Sequence, residues 1–287
     1  MNNNIDILFS ILIANYNSEH FFCDCYKSIL QQTYRNWEVI ILDDCSTDNS
    51  IRLIQSLIAT DSRFKLFFND RNRGCGYTKG KLIDLAQGEI CGFLDPDDAL
   101  IPEAIDVSVK KHVANPNVSL AYSKIWACDQ HLNPITQSNI LEIPKGESFL
   151  TSRGCIVSHF ASFKKKFYHN PIDSRLRISE DIDLYYKMEE AGDLLFINET
   201  LYFYRIHKGG VSTSNASKSL AWKIYVIIST CQRRNIDLRT CIENIVAPRL
   251  RWDNSIEYKI GKRIIEPLRF LRNKFRKIVY GFKSNKS

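Results

Sequence analysis

Over roughly the first 115 positions, apolar residues follow two rhythms, short continuous runs and stripes at helical spacing. Residues 7–14, 37–42, 64–68 and 89–94 are apolar runs too short for typical helices and rich in Ile, Leu and Phe, the pattern of strands buried on both faces. Between them lie amphipathic stretches. Ser18 is placed to cap a helix over 19–32, and Ser46 to cap one carrying Ile51, Ile54, Leu57 and Ile58 on one face. A short helix over 78–87 is expected to stop at Gly88, and Pro102 to open another reaching Ala114. Further on, residues 119–126 and 195–203 read as strands and 183–190 as a helix, and from Lys218 the pattern is helical. Strands alternating with helices predict an α/β domain with a mostly parallel central sheet flanked by helices. The expected division is a domain over 1–215, with halves 1–115 and 116–215, followed by a helical region over 216–287.

In such sheets ligands bind beyond the carboxyl ends of the strands. Asn15, Asp43, Asp44 and the run Asp95-Pro96-Asp97-Asp98 all fall there. Three carboxylates in four residues repel one another and are best tolerated with a cation between them. Their hard oxygens suit Mg²⁺ or Mn²⁺, ions that keep positions for water and substrate phosphates. The same residues are also good turn formers, so a solvated turn fits them equally well. An EF-hand starting at Asp95 fails, because its sixth position is Leu100 and its twelfth Asp106. No Gly-x-Gly-x-x-Gly follows the first strand and no P-loop motif occurs, which removes the two commonest phosphate-cradling loops.

Charge narrows the picture once it is located. The 287 residues carry +7, but residues 246–287 hold twelve Lys or Arg against three acids, or +9, so the rest is at −2. A basic surface on the main body is therefore not implied. Leu268, Leu271, Phe275, Ile278 and Phe282 share one helical face in this tail, with Arg and Lys on the others. That pattern fits a helix resting on an anionic membrane surface, and equally a terminal helix packed on the domain with a solvated basic face. No nucleic-acid-binding module accompanies the charge, so nucleic acid is not an expected partner. Nine cysteines, an odd number without a Cys-x-x-Cys pair, speak against structural zinc and a disulfide framework. With no basic leader and no apolar run of about 18–20 residues, the expected location is cytoplasmic, extending to the inner face of the membrane.

Ordered along the chain, Ser10-Ile11-Leu12-Ile13-Ala14-Asn15-Tyr16-Asn17, Ser28-Ile29-Leu30-Gln31-Gln32-Thr33-Tyr34, Glu38 through Asp48, Gly88-Glu89 and Leu94 through Asp98 resemble glycosyltransferase family 2. The likeness resumes at Ser179-Glu180-Asp181 and at Tyr204-Arg205-Ile206-His207. The resemblance implies the GT-A fold and an inverting, metal-dependent transfer of a sugar from a UDP-sugar to an acceptor hydroxyl, on a glycan or a lipid-linked sugar. It implies that Asp44 accepts a hydrogen bond from uracil, with Ala14 and Tyr16 lining the nucleotide pocket. Asp95 then holds the ribose or the water shell of the metal. Asp97, or Asp98 in its place, binds the metal, and Asp181 is the catalytic base with Glu180 beside it. Arg205 and His207 lie near the diphosphate in a loop, His207 as a further metal ligand. The family often has Ala-Arg-Asn where this chain has Thr78-Lys79-Gly80, so Lys79 becomes a point charge near a phosphate without the arginine fork. Asp181 also suits a helix N-terminus for purely structural reasons, and His159 is open between a core and an acceptor-side position. A metal-dependent phosphatase or nucleotidyltransferase, or a non-catalytic sugar-binding scaffold, are the alternatives.

Overall fold

A computed structural model describes residues 6–152, 156–210 and 216–247. The tail expected to be amphipathic, over 266–287, lies outside the described residues. The chain divides into two units, Met1–Thr230 and Cys231–Ser287.

The first unit is built on one nine-stranded sheet. Its amino-terminal half alternates as expected: β1 Phe9–Asn15, α1 Phe22–Leu30, β2 Trp37–Asp43, α2 Ser50–Ile58, β3 Phe64–Phe68, α3 Cys75–Leu85 and β4 Ile90–Phe93. These four strands pair in parallel in the order β3-β2-β1-β4, with Ile11 opposite Val39 and Asn15 opposite Asp43. Phe9, Ile11, Ile13, Val39 and Ile41 form one core with Phe22 and Ile29 of α1 and Ile54 of α2. Because β1 has its successor β2 on one side and β4 on the other, strand order reverses beside it, and a crevice opens at the carboxyl ends of β1 and β4.

The second half mixes directions. β5 Ala99–Leu100, α4 Ala104–Ala114, β6 Val118–Cys128, β7 Pro134–Gln137, β8 Ala161–Lys164, α5 Glu180–Ala191 and β9 Asp193–Arg205 follow in turn. β6 and β9 run parallel over a long ladder, whereas β8 is antiparallel to β4 and β6, and β5 is antiparallel to β9. β5, β7 and β8 have no counterpart in the predicted elements. With two to four residues each, they are too short to show a period. α6 Ala216–Arg233 begins at the position where the sequence divides the chain. In the second unit a short helix α7, Leu238–Thr240, is capped by Asp237, which accepts from the Thr240 amide at 3.0 Å.

Helix starts differ from expectation for a common reason. The Ser18 hydroxyl donates to the Asn15 side chain, and its carbonyl rather than its hydroxyl receives the Phe21 and Phe22 amides, so α1 starts at Phe22. The Ser46 hydroxyl donates to Asp43 at 2.6 Å, and α2 starts only at Ser50. Both serines are taken by carboxyl-end polar groups of the sheet. α3 starts earlier and ends earlier than predicted, because Ala86 is already extended, so Gly88 does not stop it. Gly88 serves a close approach instead: a Cβ there would lie 2.6 Å from the Leu8 carbonyl oxygen.

Candidate active site

At the end of β2 the two aspartates divide their tasks. Asp43 faces inward, accepting from the Asn15 amide at 2.7 Å and from the Ser46 amide at 2.8 Å. Asp44 accepts from the Asn69 side chain at 2.7 Å and from the backbone amides of Arg73 at 2.7 Å and Gly74 at 2.8 Å. A carboxylate offers about four lone-pair sites, so Asp44 is fixed in orientation with capacity for one further donor. Gly74 makes this loop work: its φ of +86° suits glycine, and a Cβ would meet the Arg177 guanidinium at 2.3 Å. Ala14 lies one residue before the end of β1, and Tyr16 just beyond it is exposed.

At the end of β4 the acidic turn splits its carboxylates. Its Asp98 amide donates to the Asp95 carbonyl at 3.1 Å. The Asp98 side chain turns inward, 1% exposed, and accepts from the Tyr202 hydroxyl at 2.8 Å and the Arg205 amide at 2.7 Å. Burial, with Asp97 and Asp95 nearby, pushes its carboxyl well above the usual aspartate range. Both Asp98 oxygens accept from buried donors, so of the two carboxylates Asp97, at 31% exposed, is the more open to a metal. Asp97 points the other way and meets His207 Nε2 at 2.9 Å.

Arg205 is also placed differently from expectation. It is the last residue of β9 rather than part of a loop, and it is 3% exposed. Its guanidinium donates to the carbonyls of Asp97 and Gln130, each at 2.5 Å, and to Asp24 at 2.9 Å, while packing 4.7 Å from the Phe21 ring centroid. So committed, it braces the turn that presents Asp97. The His207 ring packs against the same Phe21 ring, tilted 54° to it with centroids 4.5 Å apart.

Asp181 lies in the first turn of α5, which begins three residues before the predicted start. Among the described residues its side chain accepts a hydrogen bond from the Ile182 amide at 2.8 Å. Burial lifts its carboxyl above the ordinary aspartate value and Glu180 adds to the rise, against the opposing pull of Lys79 and His159. Lys79 is buried, with Nζ 2.8 Å from Glu180 and 3.4 Å from Asp95, so it does not stand open to a phosphate. His159, left open by the sequence, places Nε2 3.5 Å from Asp95 and stacks on Tyr202 at 5.2 Å. Tyr202, Asn69, Phe21 and Asp24 were not singled out by sequence. Of these only Asn69 carried a signal, as the polar residue that ends the third strand.

A divalent ion fits part of this set. Among the described residues no group of three or more His, Cys, Asp or Glu is arranged for a metal. Asp97 and His207 nevertheless bring an oxygen and a nitrogen to 2.9 Å of each other. Adjacent ligands of an octahedral Mg²⁺ are about 3.0 Å apart when each bond is 2.0–2.1 Å. Two protein ligands completed by phosphates and water are the usual arrangement for such ions. A cavity of about 350 Å³ lined by His20, Phe21, Asp24, His131 and Arg205 adjoins this pair, whereas a larger one of about 410 Å³ opens at the amino ends of the strands, away from these acids.

Comparison with known proteins fits this geometry. The glycosyl transferase family 2 model matches residues 10–177, more than half of the chain. The chain belongs to glycosyl transferase family 2. Among relatives in and around this family, glycosyltransferase GlyG of Streptococcus pneumoniae is 23% identical over 270 residues, covering 88% of this chain and 89% of its own. Chondroitin synthase of Escherichia coli is 29% identical over 209 residues, 72% of this chain. The chain spans only 30% of the length of that synthase. S. aureus TarS 1–349 in complex with UDP-GlcNAc superposes with a TM-score of 0.61 at 16% identity, covering 77% of this chain and 66% of that one. Mannosyltransferase PcManGT from Pyrobaculum calidifontis, in complex with GDP-Man and Mn²⁺, gives 0.57 at 16% identity, covering 80% and 64%. These likenesses establish the GT-A fold that the family 2 resemblance implied.

Proposed function

We propose that this family 2 member is an inverting glycosyltransferase that moves a sugar from a UDP-sugar to an acceptor hydroxyl in polysaccharide or glycan synthesis. The observation that carries the reading is the bridge made by Lys79. It joins Glu180, beside the candidate base Asp181, to Asp95 at the end of the donor strand. That bridge supports a reading in which a base and a nucleotide-binding strand end share one site. The remaining acceptor capacity of Asp44 suits the N–H of a uracil, and the complex of TarS with UDP-GlcNAc supports a uridine donor.

In this reading Asp181 takes the proton of the acceptor hydroxyl as its oxygen attacks the anomeric carbon. The bond from that carbon to the diphosphate oxygen breaks, and UDP leaves with the electron pair from the opposite face, which inverts the configuration. Asp97 and His207 would hold a divalent ion, Mg²⁺ or Mn²⁺, whose charge offsets that developing on the departing diphosphate. Arg205, through the Asp97 carbonyl and Asp24, keeps the turn carrying Asp97 in place before substrate arrives.

A panel of nucleotide sugars tests the reading. Thermal stabilisation by UDP-sugars with Mn²⁺, and sugar appearing on an added acceptor, are the expected results. Release of inorganic phosphate or pyrophosphate without sugar transfer would favour the phosphatase or nucleotidyltransferase chemistry instead.

The basic tail supports a lipid-linked acceptor and a place at the membrane surface. Its +9 charge and apolar stripe support contact with an anionic membrane surface, next to a lipid-linked acceptor. Among the described residues no helix is long and apolar enough to cross a membrane. Removing residues 266–287 is expected to lower co-sedimentation with phosphatidylserine vesicles at least several-fold. Equal sedimentation of the full and shortened chains would refute the membrane role.

A further inference from the structure

Lys79 stands where the family often has an arginine, yet its ammonium is enclosed. It is 4% exposed, and it approaches Glu180 at 2.8 Å, Asp95 at 3.4 Å and the Phe93 ring at 5.2 Å. Glu180 also accepts from the Cys75 thiol at 3.1 Å, one helical turn before Lys79 on α3. The groups that act on Asp181 come from three places: Glu180 of α5, Lys79 of α3 and His159 of the segment before β8, while Tyr185 of α5 senses the Asp181 charge in turn. Asp95 at the end of β4 meets Lys79 and His159, and Cys75 of α3 meets Glu180. Three carboxylates share one permanent cation and one imidazole.

Burial alone would lift Glu180, but Lys79, with the Cys75 thiol, holds it below its usual range. Asp95 and Glu180 overcome the burial of Lys79 and keep it charged. Building on the glycosyltransferase reading, we propose that Lys79 is a positioning residue rather than a phosphate contact. It ties the first turn of α5 to the end of β4 and sets the charge that Asp181 experiences. An ammonium suits this role because it is a compact point charge that can serve carboxylates in different directions, where a planar guanidinium prefers one bidentate partner.

The bridge makes two neighbouring changes act in opposite senses. Loss of the cation leaves Asp181 among uncompensated carboxylates and raises its titration midpoint. Loss of the Glu180 charge removes a like neighbour and lowers it. Charges within about 4–6 Å move a carboxyl by roughly 1–3 pH units.

The experiment follows the Asp181 carboxyl by NMR in the full chain carrying ¹³Cγ-aspartate, with the signal assigned by its loss in Asp181→Asn. Lys79→Met is expected to raise the midpoint by about one unit or more, and Glu180→Gln to lower it by a similar amount. The double variant replaces both members of the pair with neutral groups and is expected to lie above Glu180→Gln alone. That comparison gives the effect of Lys79 even if Lys79→Met by itself does not fold. UDP affinity of the double variant stays within about threefold of Glu180→Gln, since one hydrogen bond to a charged group is worth about 1.5–3 kcal/mol and a lost phosphate contact would cost tenfold or more. Midpoints that do not move, that move in one common direction, or a tenfold loss of UDP affinity would each overturn the proposal. The titration needs no substrate, so a wild-type protein that transfers no sugar counts against the enzymatic reading alone.

Discussion

Replacing Asp181 with asparagine is expected to abolish sugar transfer and to leave the nucleotide bound. The amide keeps the size of the carboxyl group but cannot take a proton, and general-base assistance is worth about 10²–10⁴-fold in rate. Asp181 accepts its hydrogen bond from the next residue of its own helix, whereas Asp44 is held by Asn69 and Asp97 meets His207. The loss is therefore expected in kcat, by at least about 10²-fold, with UDP affinity changed less than about threefold. Turnover measured alongside calorimetric UDP binding separates the two. The same substitution also resolves the structural alternative, in which Asp181 only favours the start of α5. A helix-start role is worth about 0.3–1 kcal/mol of stability, and its loss would lower the melting temperature while leaving turnover intact. A variant with wild-type kcat removes Asp181 from the base role.

The residues of this site differ in how far sequence reveals them. Asp44, Asp95 and Asp97 were legible because they end strands buried on both faces, and such strands show as unbroken apolar runs. Asp181 was legible only through the family likeness, since an acid near a helix start is ordinary. What sequence could not supply was direction. Asp97 and Asp98 are adjacent and chemically equal, and only the turn closed onto the Asp95 carbonyl decides which one faces inward. Arg205 carries the same lesson. The family likeness gave it a place near the diphosphate, and the carbonyls of Asp97 and Gln130 that take up its donors belong to segments far away in the chain, which no local pattern reveals. The predicted helix starts at Ser18 and Ser46 erred similarly, because Asn15 and Asp43 compete for the hydroxyls. The antiparallel strand β8 brings His159 against Asp95, and at four residues it offered no period to read.

That division between the two adjacent carboxylates gives the second large effect. Asp97→Ala is expected to erase the metal-dependent part of donor binding while sparing the fold. The side chain is 31% exposed and, among the described residues, meets His207, whereas the contact from Arg205 goes to the Asp97 backbone carbonyl, which alanine retains. The brace on the turn therefore survives, and the buried acceptor for Tyr202 and Arg205 is Asp98, which is untouched. Mutating a residue that merely supports a metal ligand typically costs about 10–100-fold in metal affinity, so removing one of two protein ligands should cost at least that. Donor affinity is measured with Mn²⁺ and again with EDTA. The wild type binds UDP-sugar more tightly with the ion, and Asp97→Ala binds equally in both, at the strength of the wild type in EDTA. His207→Ala follows the same pattern if the two side chains share the ion, because neither can complete the site alone. If Asp97→Ala keeps the full Mn²⁺ enhancement, the ion is held elsewhere, and the 2.9 Å contact with His207 is only a hydrogen bond that closes the turn.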